Sequence, residues 1–145
     1  MSSPYVRDSA RDARAERRAR DLLRSTAGDD VADSYEQLGF VGVTPDDDDG
    51  YGYVVYPHRP IVAYDTGSGE LLSEYCVRFP DRVVDDLSAG EWLPDADDVL
   101  AKWMALRADE RRLIAEANLH LPGVQLDPEM VRRDVETLRE WEGAR

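Results

Sequence analysis

The sequence predicts an α+β protein with a small antiparallel sheet, C-terminal helices packed on one face of that sheet, and a polar N-terminal helix. Three observations lead to this class. Apolar residues recur at helical spacing near both ends of the chain. Residues 40–85 contain short β-branched and aromatic runs bounded by Asp, Gly and Pro clusters. The connections between those runs are short, which favours an antiparallel meander of about three to five strands.

The first element is an Arg-rich helix over residues 1–27, which ends at Gly28. It is polar on nearly every side, and pairs four residues apart, such as Glu16 with Arg20, support it only weakly. Because such a helix has little apolar surface to bury, we expect it to be loosely attached. Residues 28–145 are expected to form a single α+β globular domain.

Three further helices carry their own start or stop signals. Residues 29–38 are apolar at helical spacing and end at Gly39, which adopts a left-handed C-terminal conformation without strain. A longer helix begins at Asp95 and continues or restarts about halfway along. Asp127 followed by Pro128 combines an N-cap with a proline at the first helical position, which is the clearest helix start in the chain.

The strands lie between the second and third helices. Their sequences are "FVGVT", "YGYVVY", "IVAYD" and "LLSEYCVRF". In the second strand, alternation predicts that Tyr51, Tyr53 and Val55 share one face of the sheet. Val54 and Tyr56 are then expected on the opposite face.

Charge is distributed unevenly along the chain. Of the 145 residues 42% are apolar, and the net charge is −13. Residues 28–100 carry −15, residues 1–27 carry +3 and residues 101–145 carry −1. The negative middle section repels nucleic-acid phosphates, so we expect no general nucleic-acid binding. It attracts basic protein partners instead, with a strong dependence on salt.

Cysteine usage and hydropathy predict the compartment. The single cysteine, Cys76, excludes an internal disulfide and suits a reducing environment. The first residues have no apolar run after their charges, and no stretch of the sequence is long enough for a membrane span. We therefore expect a cytoplasmic protein without a membrane partner. Its Arg-, Ala- and Asp-rich composition is typical of a GC-rich bacterium or its phage.

The stretch "PDDDDGYGYVVYPHRP", residues 45–60, holds the strongest candidates for a binding site. Its acidic run comprises Asp46, Asp47, Asp48 and Asp49. A calcium-binding EF-hand loop is excluded, because aligning Gly50 with the sixth loop position leaves proline and tyrosine at the two anchoring positions. We expect an acidic turn that contributes charge to partner binding and holds no metal.

The corner "PHRP" that follows is the most site-like spot in the sequence. Pro57 and Pro60 lack amide donors, so the corner lies outside the strand ladder. The two rigid prolines are expected to hold His58 and Arg59 outward, with Tyr56 beside them.

Motifs for metals and cofactors are absent from the sequence. His58 and His120 are the only histidines, and no HExxH, CxxC or CxxH spacing accompanies them. Phosphate-binding glycine loops and the nucleophile elbow of hydrolases are also missing. We expect no cofactor and no metal. Lys102, the only lysine, is expected on the solvent side of its helix.

Three functions are compatible with the sequence. We expect a small acidic protein of non-enzymatic binding or regulatory type that docks a protein partner, basic in character, and self-association is also compatible. The first alternative is a DNA-mimic inhibitor of anti-restriction type from a mobile element, although carboxylates clumped at 46–49 do not reproduce the ~1.7 Å charge spacing of duplex DNA. The second alternative is a small enzyme that uses His58 with Cys76 or a nearby carboxylate.

Overall fold

The computed structural model describes residues 9–45, 50–76, 93–117 and 126–145. Within them lie four helices and four strands, in the order α1 (Ser9–Ala27), α2 (Asp29–Leu38), β1 (Val41–Val43), β2 (Tyr51–Val55), β3 (Ile61–Asp65), β4 (Leu71–Tyr75), α3 (Asp95–Ala117) and α4 (Pro128–Gly143). The strands form one sheet in the order β1-β2-β3-β4, and each pairs antiparallel with its neighbour. The predicted α+β class and antiparallel meander are confirmed.

The sheet is the middle layer of the fold and is apolar on both faces. Tyr53 and Val55 of β2 face a core formed with α1 and α3. Val54 and Tyr56 face a second core formed with α4. The predicted alternation along β2 is therefore confirmed. Both C-terminal helices were expected on one face of the sheet, but α3 and α4 lie on opposite faces. The physical reason is that a strand apolar on both sides needs cover on both sides.

Two predicted helix ends have the expected geometry. Gly39 has a φ of 86° and donates its backbone N–H to the Tyr35 carbonyl at 2.8 Å, which closes α2. At the start of α4, the Asp127 side chain accepts from the Glu129 N–H at 3.1 Å, ahead of Pro128 at the first helical turn.

Helix α1 is held more firmly than its polar sequence suggested. Ala19 and Leu23 are 3% and 0% exposed, and both belong to the core shared with α3. The Glu16 side chain reaches across to α3, where its Oε1 accepts from the Ala96 N–H at 3.1 Å. These contacts argue against the expected loose attachment of the helix from Ser9 onward, which stays a prediction to be tested by variants in this helix. None of the described helices has an apolar stretch long enough to span a bilayer.

The hydrogen bonds of Glu16 are expected to make a pH-dependent contribution to stability. Burial raises the pKa of this carboxyl, but hydrogen bonds from Arg20, Tyr35 and the Ala96 amide outweigh burial and hold the pKa below its ordinary 4.5. A lowered pKa stabilises the fold above the unfolded-state pKa, and the contribution disappears as pH falls through the folded-state value. Replacing Glu16 with Gln should therefore lower the free energy of unfolding at pH 7 by about 1–3 kcal/mol, and by much less at pH 3.

Urea denaturation at both pH values measures this difference. Glu116→Gln is the matched control, since Glu116 pairs with Arg112 on an exposed helix surface and has no other ion-pair partner within the described ranges. An equal loss for Glu16→Gln at pH 7 and pH 3 would show that the carboxylate charge does not anchor α1.

Candidate functional site

The corner between β2 and β3 is held in place by Lys102 of α3, the only lysine in the chain. Lys102 is 3% exposed, and its Nζ donates to the carbonyls of Arg59 at 2.8 Å and Tyr56 at 3.1 Å. Its third partner is Asp98 Oδ2 at 2.6 Å, and the same oxygen accepts from the His58 N–H at 2.7 Å. The expected solvent-facing position of Lys102 is therefore wrong, because its ammonium satisfies carbonyls that two prolines leave outside the strand ladder.

The His58 ring lies between the corner and the start of α3. Its Nε2 is 2.9 Å from the Leu93 carbonyl and 3.1 Å from Asp95 Oδ1. Both of these oxygens only accept, so Nε2 carries the hydrogen. The other ring nitrogen is 3.9 Å from Asp98 Oδ1. His58 itself has a φ of 57°, in the left-handed region, which the Lys102 and Asp98 contacts stabilise.

The side chains of Tyr56 and Arg59 contact α4, whereas the His58 ring contacts the start of α3. Tyr56 is 5% exposed, and its hydroxyl donates to Asp134 Oδ2 of α4 at 2.7 Å. Burial, together with this hydrogen bond, raises the pKa of the phenol well above its usual range. Arg59 turns toward α4, where its Nη1 is 3.7 Å from the Met130 sulfur. The acidic run, Asp46, Asp47, Asp48 and Asp49, lies outside the described residues.

The enzymatic alternative needs His58 to lie near Cys76 or a carboxylate, and the structure shows part of this arrangement. The β3–β4 register pairs Ile61 with Tyr75, which brings Cys76 to the same end of the sheet as the corner. Cys76 is half-buried. His120 lies outside the described residues. Across the ranges that the structure describes, no three His, Cys, Asp or Glu side chains come together in a way that would hold a metal ion.

A groove of about 800 Å³ runs along the outer side of β1. We call it the edge groove. It is lined by Asp30, Val31, Ser34, Val41, Gly42, Leu138, Trp141, Glu142 and Arg145. Strand β1 is the first strand of the sheet, and no backbone group of the described chain pairs with its outer side. The groove thus combines a sheet edge with an apolar wall from α4.

Two features shape the edge groove. At Gly42 the Leu138 side chain packs directly against the backbone, and a Cβ there would lie 2.6 Å from Leu138 Cδ2 and force it to shift. Trp141 donates its ring N–H to Gln37 Oε1 at 2.8 Å, and the Arg145 guanidinium lies 4.3 Å from the centre of the Trp141 ring. Arg145 also pairs with Asp30 at 2.7 Å. The tryptophan is therefore held in place at the mouth of the groove.

A second groove, of about 660 Å³, lies between the sheet and the last turns of α3. We call it the tyrosine groove. Its lining is Gly50, Tyr51, Tyr53, Ala63, Asp65, Leu72, Ser73, Tyr75, Glu110, Arg111, Ile114 and Ala115. The hydroxyls of Tyr51 and Tyr53 both donate to Glu110 Oε2, the former at 2.6 Å.

Glu110 reaches the tyrosines because α3 is broken just before it. Asp109 has φ −159° and ψ 85°, outside the helical region. Its side chain accepts from the Arg112 N–H at 3.2 Å, which caps the restarted helix. The possible restart was predicted, but the role of Glu110 was missed. The two tyrosines are 59 and 57 residues away, and no local pattern indicates such a contact.

Comparison with protein-family models, curated proteins and solved structures finds no match for this chain. Functional inference therefore depends on the grooves, contacts and charges of the protein itself.

Proposed function

We propose that the protein is a non-enzymatic binding protein that docks an extended, basic segment of a protein partner along strand β1. The observation that carries this proposal is the edge groove, in which an apolar wall lies beside a sheet edge that has no backbone partner among the described residues. Extended segments commonly bind by adding a strand to such an edge. Backbone hydrogen bonds then supply affinity and side-chain pockets supply specificity.

The shape of the edge groove supports an extended occupant. Leu138 lies against Gly42 in the space that a side chain would take, so the apolar wall of α4 comes directly beside the middle residue of β1. Val31, Leu138 and Trp141 provide apolar surface alongside it. In an added strand, alternate side chains would face this surface, and the others would face solvent or the charged rim. Tryptophan is also a residue type enriched among binding hot spots.

Charge favours a basic segment over a second copy of this chain. Burial raises the pKa of the Glu142 carboxyl at the rim, and attraction to a partner cation would offset this cost of desolvation. Asp30 also lines the rim, and its exposed pair with Arg145 is of a kind that exchanges at little cost. Two copies would each bring a net charge of −13 to the interface, which opposes self-association.

Selection from a library of short random peptides tests the proposal. The selected peptides should alternate apolar residues with Lys or Arg. Replacing Glu142 with Arg should weaken their binding about tenfold or more, measured by fluorescence anisotropy. Glu140→Arg is the matched control, because Glu140 is an exposed residue of the same helix that does not line the groove. It changes net charge by the same amount and should weaken binding only about twofold.

Two outcomes would contradict the proposal. Selected peptides without enrichment in Lys or Arg would exclude a basic partner segment. Equal weakening by Glu142→Arg and Glu140→Arg would mean that binding depends on net charge alone and not on the edge groove. Peptide binding to the variant Trp141→Ser is a further test of the edge groove. Met104→Ser is its control, because Met104 is an exposed apolar residue outside this groove.

A further inference from the structure

We propose that the tyrosine groove is a binding site for an organic cation with an alkylated ammonium head group. The cation would lie against the rings of Tyr51 and Tyr75, next to the Glu110 oxygen that the phenol groups do not occupy. This inference is independent of partner docking at the edge groove, since the two grooves share no lining residue.

The aromatic wall is the first reason. The rings of Tyr51 and Tyr53 form an edge-to-face pair, with centroids 5.6 Å apart and planes at 86°. Tyr53 is 4% exposed, so the half-buried Tyr51 supplies the aromatic face of the groove. Tyr75 adds a third ring to the lining. Electron-rich faces of aromatic rings attract cations, and clusters of such rings are the usual receptors for quaternary ammonium groups.

The charge on Glu110 is the second reason. Its Oε2 accepts both phenolic hydrogens, and no hydrogen bond or ion pair from the described residues reaches its Oε1. Burial, with the hydrogen bond to Glu110, raises the pKa of Tyr53 well above its usual range, so this phenol stays a neutral donor. The wall therefore carries a carboxylate held in place by two phenol groups, with one oxygen that no group in the described part of the chain occupies.

The remaining lining residues select the kind of cation. Asp65 adds a second carboxylate, whose pKa is held low by hydrogen bonds from Ser68, while Arg111 adds one opposing positive charge. Leu72, which is 54% exposed, and Ile114 supply apolar surface for the methyl groups of an alkylated ammonium. The groove volume falls within the ~300–1,000 Å³ typical of small-ligand sites.

Paired titrations with choline and 3,3-dimethyl-1-butanol test the inference. The two molecules have nearly the same shape, but only choline is charged. Calorimetry should give at least about tenfold tighter binding for choline, which corresponds to the free energy of one desolvated cation–π contact with a carboxylate nearby. Equal affinity for both molecules, or no binding of either one, would overturn the proposal.

Variants locate the bound cation. Tyr51→Leu removes a ring and should abolish the preference for choline, whereas Tyr51→Phe keeps the ring and should retain it. Glu110→Gln should weaken choline binding, and Arg111→Ala should strengthen it by removing the opposing charge. Glu142→Arg in the edge groove should leave choline binding unchanged. Unaltered binding in Tyr51→Leu, with its fold verified by circular dichroism, would contradict the assignment.

A second titration identifies the source of the cation. A short peptide that contains trimethyllysine presents the same head group as choline, attached to a protein chain. Tighter binding of the peptide would assign the groove to a methylated partner, and tighter binding of choline would assign it to a free metabolite. Either result supports the alkylammonium site, whereas an equal response to the unmethylated lysine peptide would contradict it.

Discussion

Replacing Lys102 with methionine is expected to lower the free energy of unfolding by about 3–5 kcal/mol, the range measured when one partner of a buried ion pair is removed. Methionine retains most of the aliphatic length but leaves Asp98 as an uncompensated buried charge. The carbonyls of Tyr56 and Arg59 also lose their donor. Urea denaturation followed by tryptophan fluorescence measures the loss.

Two further variants distinguish the pairing from general effects of removing a cation. Arg112→Met removes a charge from an exposed pair at the same i,i+4 spacing and should leave stability nearly unchanged. The double variant Lys102→Met, Asp98→Asn should be more stable than Lys102→Met alone, because the unpaired charge is gone. If Lys102→Met lowers the free energy of unfolding by less than about 1 kcal/mol, Lys102 does not hold the corner between β2 and β3.

Leu23→Ala is expected to cost about 2–5 kcal/mol, as is usual when a fully buried leucine is truncated. Leu23 is 0% exposed and lies in the core that α1 shares with α3. The neighbouring Leu22 is 50% exposed, so Leu22→Ala is a control of the same chemistry in the same helix. It should change stability by less than about 0.5 kcal/mol.

This pair of leucine variants decides whether α1 belongs to the folded unit. A large difference between Leu23→Ala and Leu22→Ala, measured by thermal and urea unfolding, would show that α1 unfolds together with the sheet. Small and equal effects would mean instead that α1 is loosely attached, as the polar sequence of residues 1–27 suggested.

Local patterns were sufficient to predict most elements of this fold. The alternation in β2, the glycine stop at Gly39 and the Asp127–Pro128 helix start each depend on a few neighbouring residues, and all three are confirmed. The placement of α3 and α4 on opposite faces of the sheet is indicated by the strand sequences themselves. Strands "YGYVVY" and "IVAYD" are apolar on both sides, which indicates a sheet covered twice.

The candidate sites depend on contacts that no local pattern contains. Lys102 was expected at the surface because lysine is almost never fully buried without a partner, and its partners include carbonyls 43 and 46 residues away. The edge groove joins α2 and β1, which are consecutive in the chain, with α4, which is far from both. Trp141 follows Leu138 at helical spacing in the sequence, but no local pattern indicates that it lies beside the outer edge of β1.

Amide hydrogen exchange with and without a selected basic peptide tests the proposed docking most directly. If the peptide adds a strand to the sheet, the outward-facing amides among Val41–Val43 should exchange at least about tenfold more slowly in the complex. The amides of Leu71–Tyr75, in the strand at the other end of the sheet, should exchange at unchanged rates. A saturated complex in which exchange at Val41–Val43 is unaltered would contradict docking along β1.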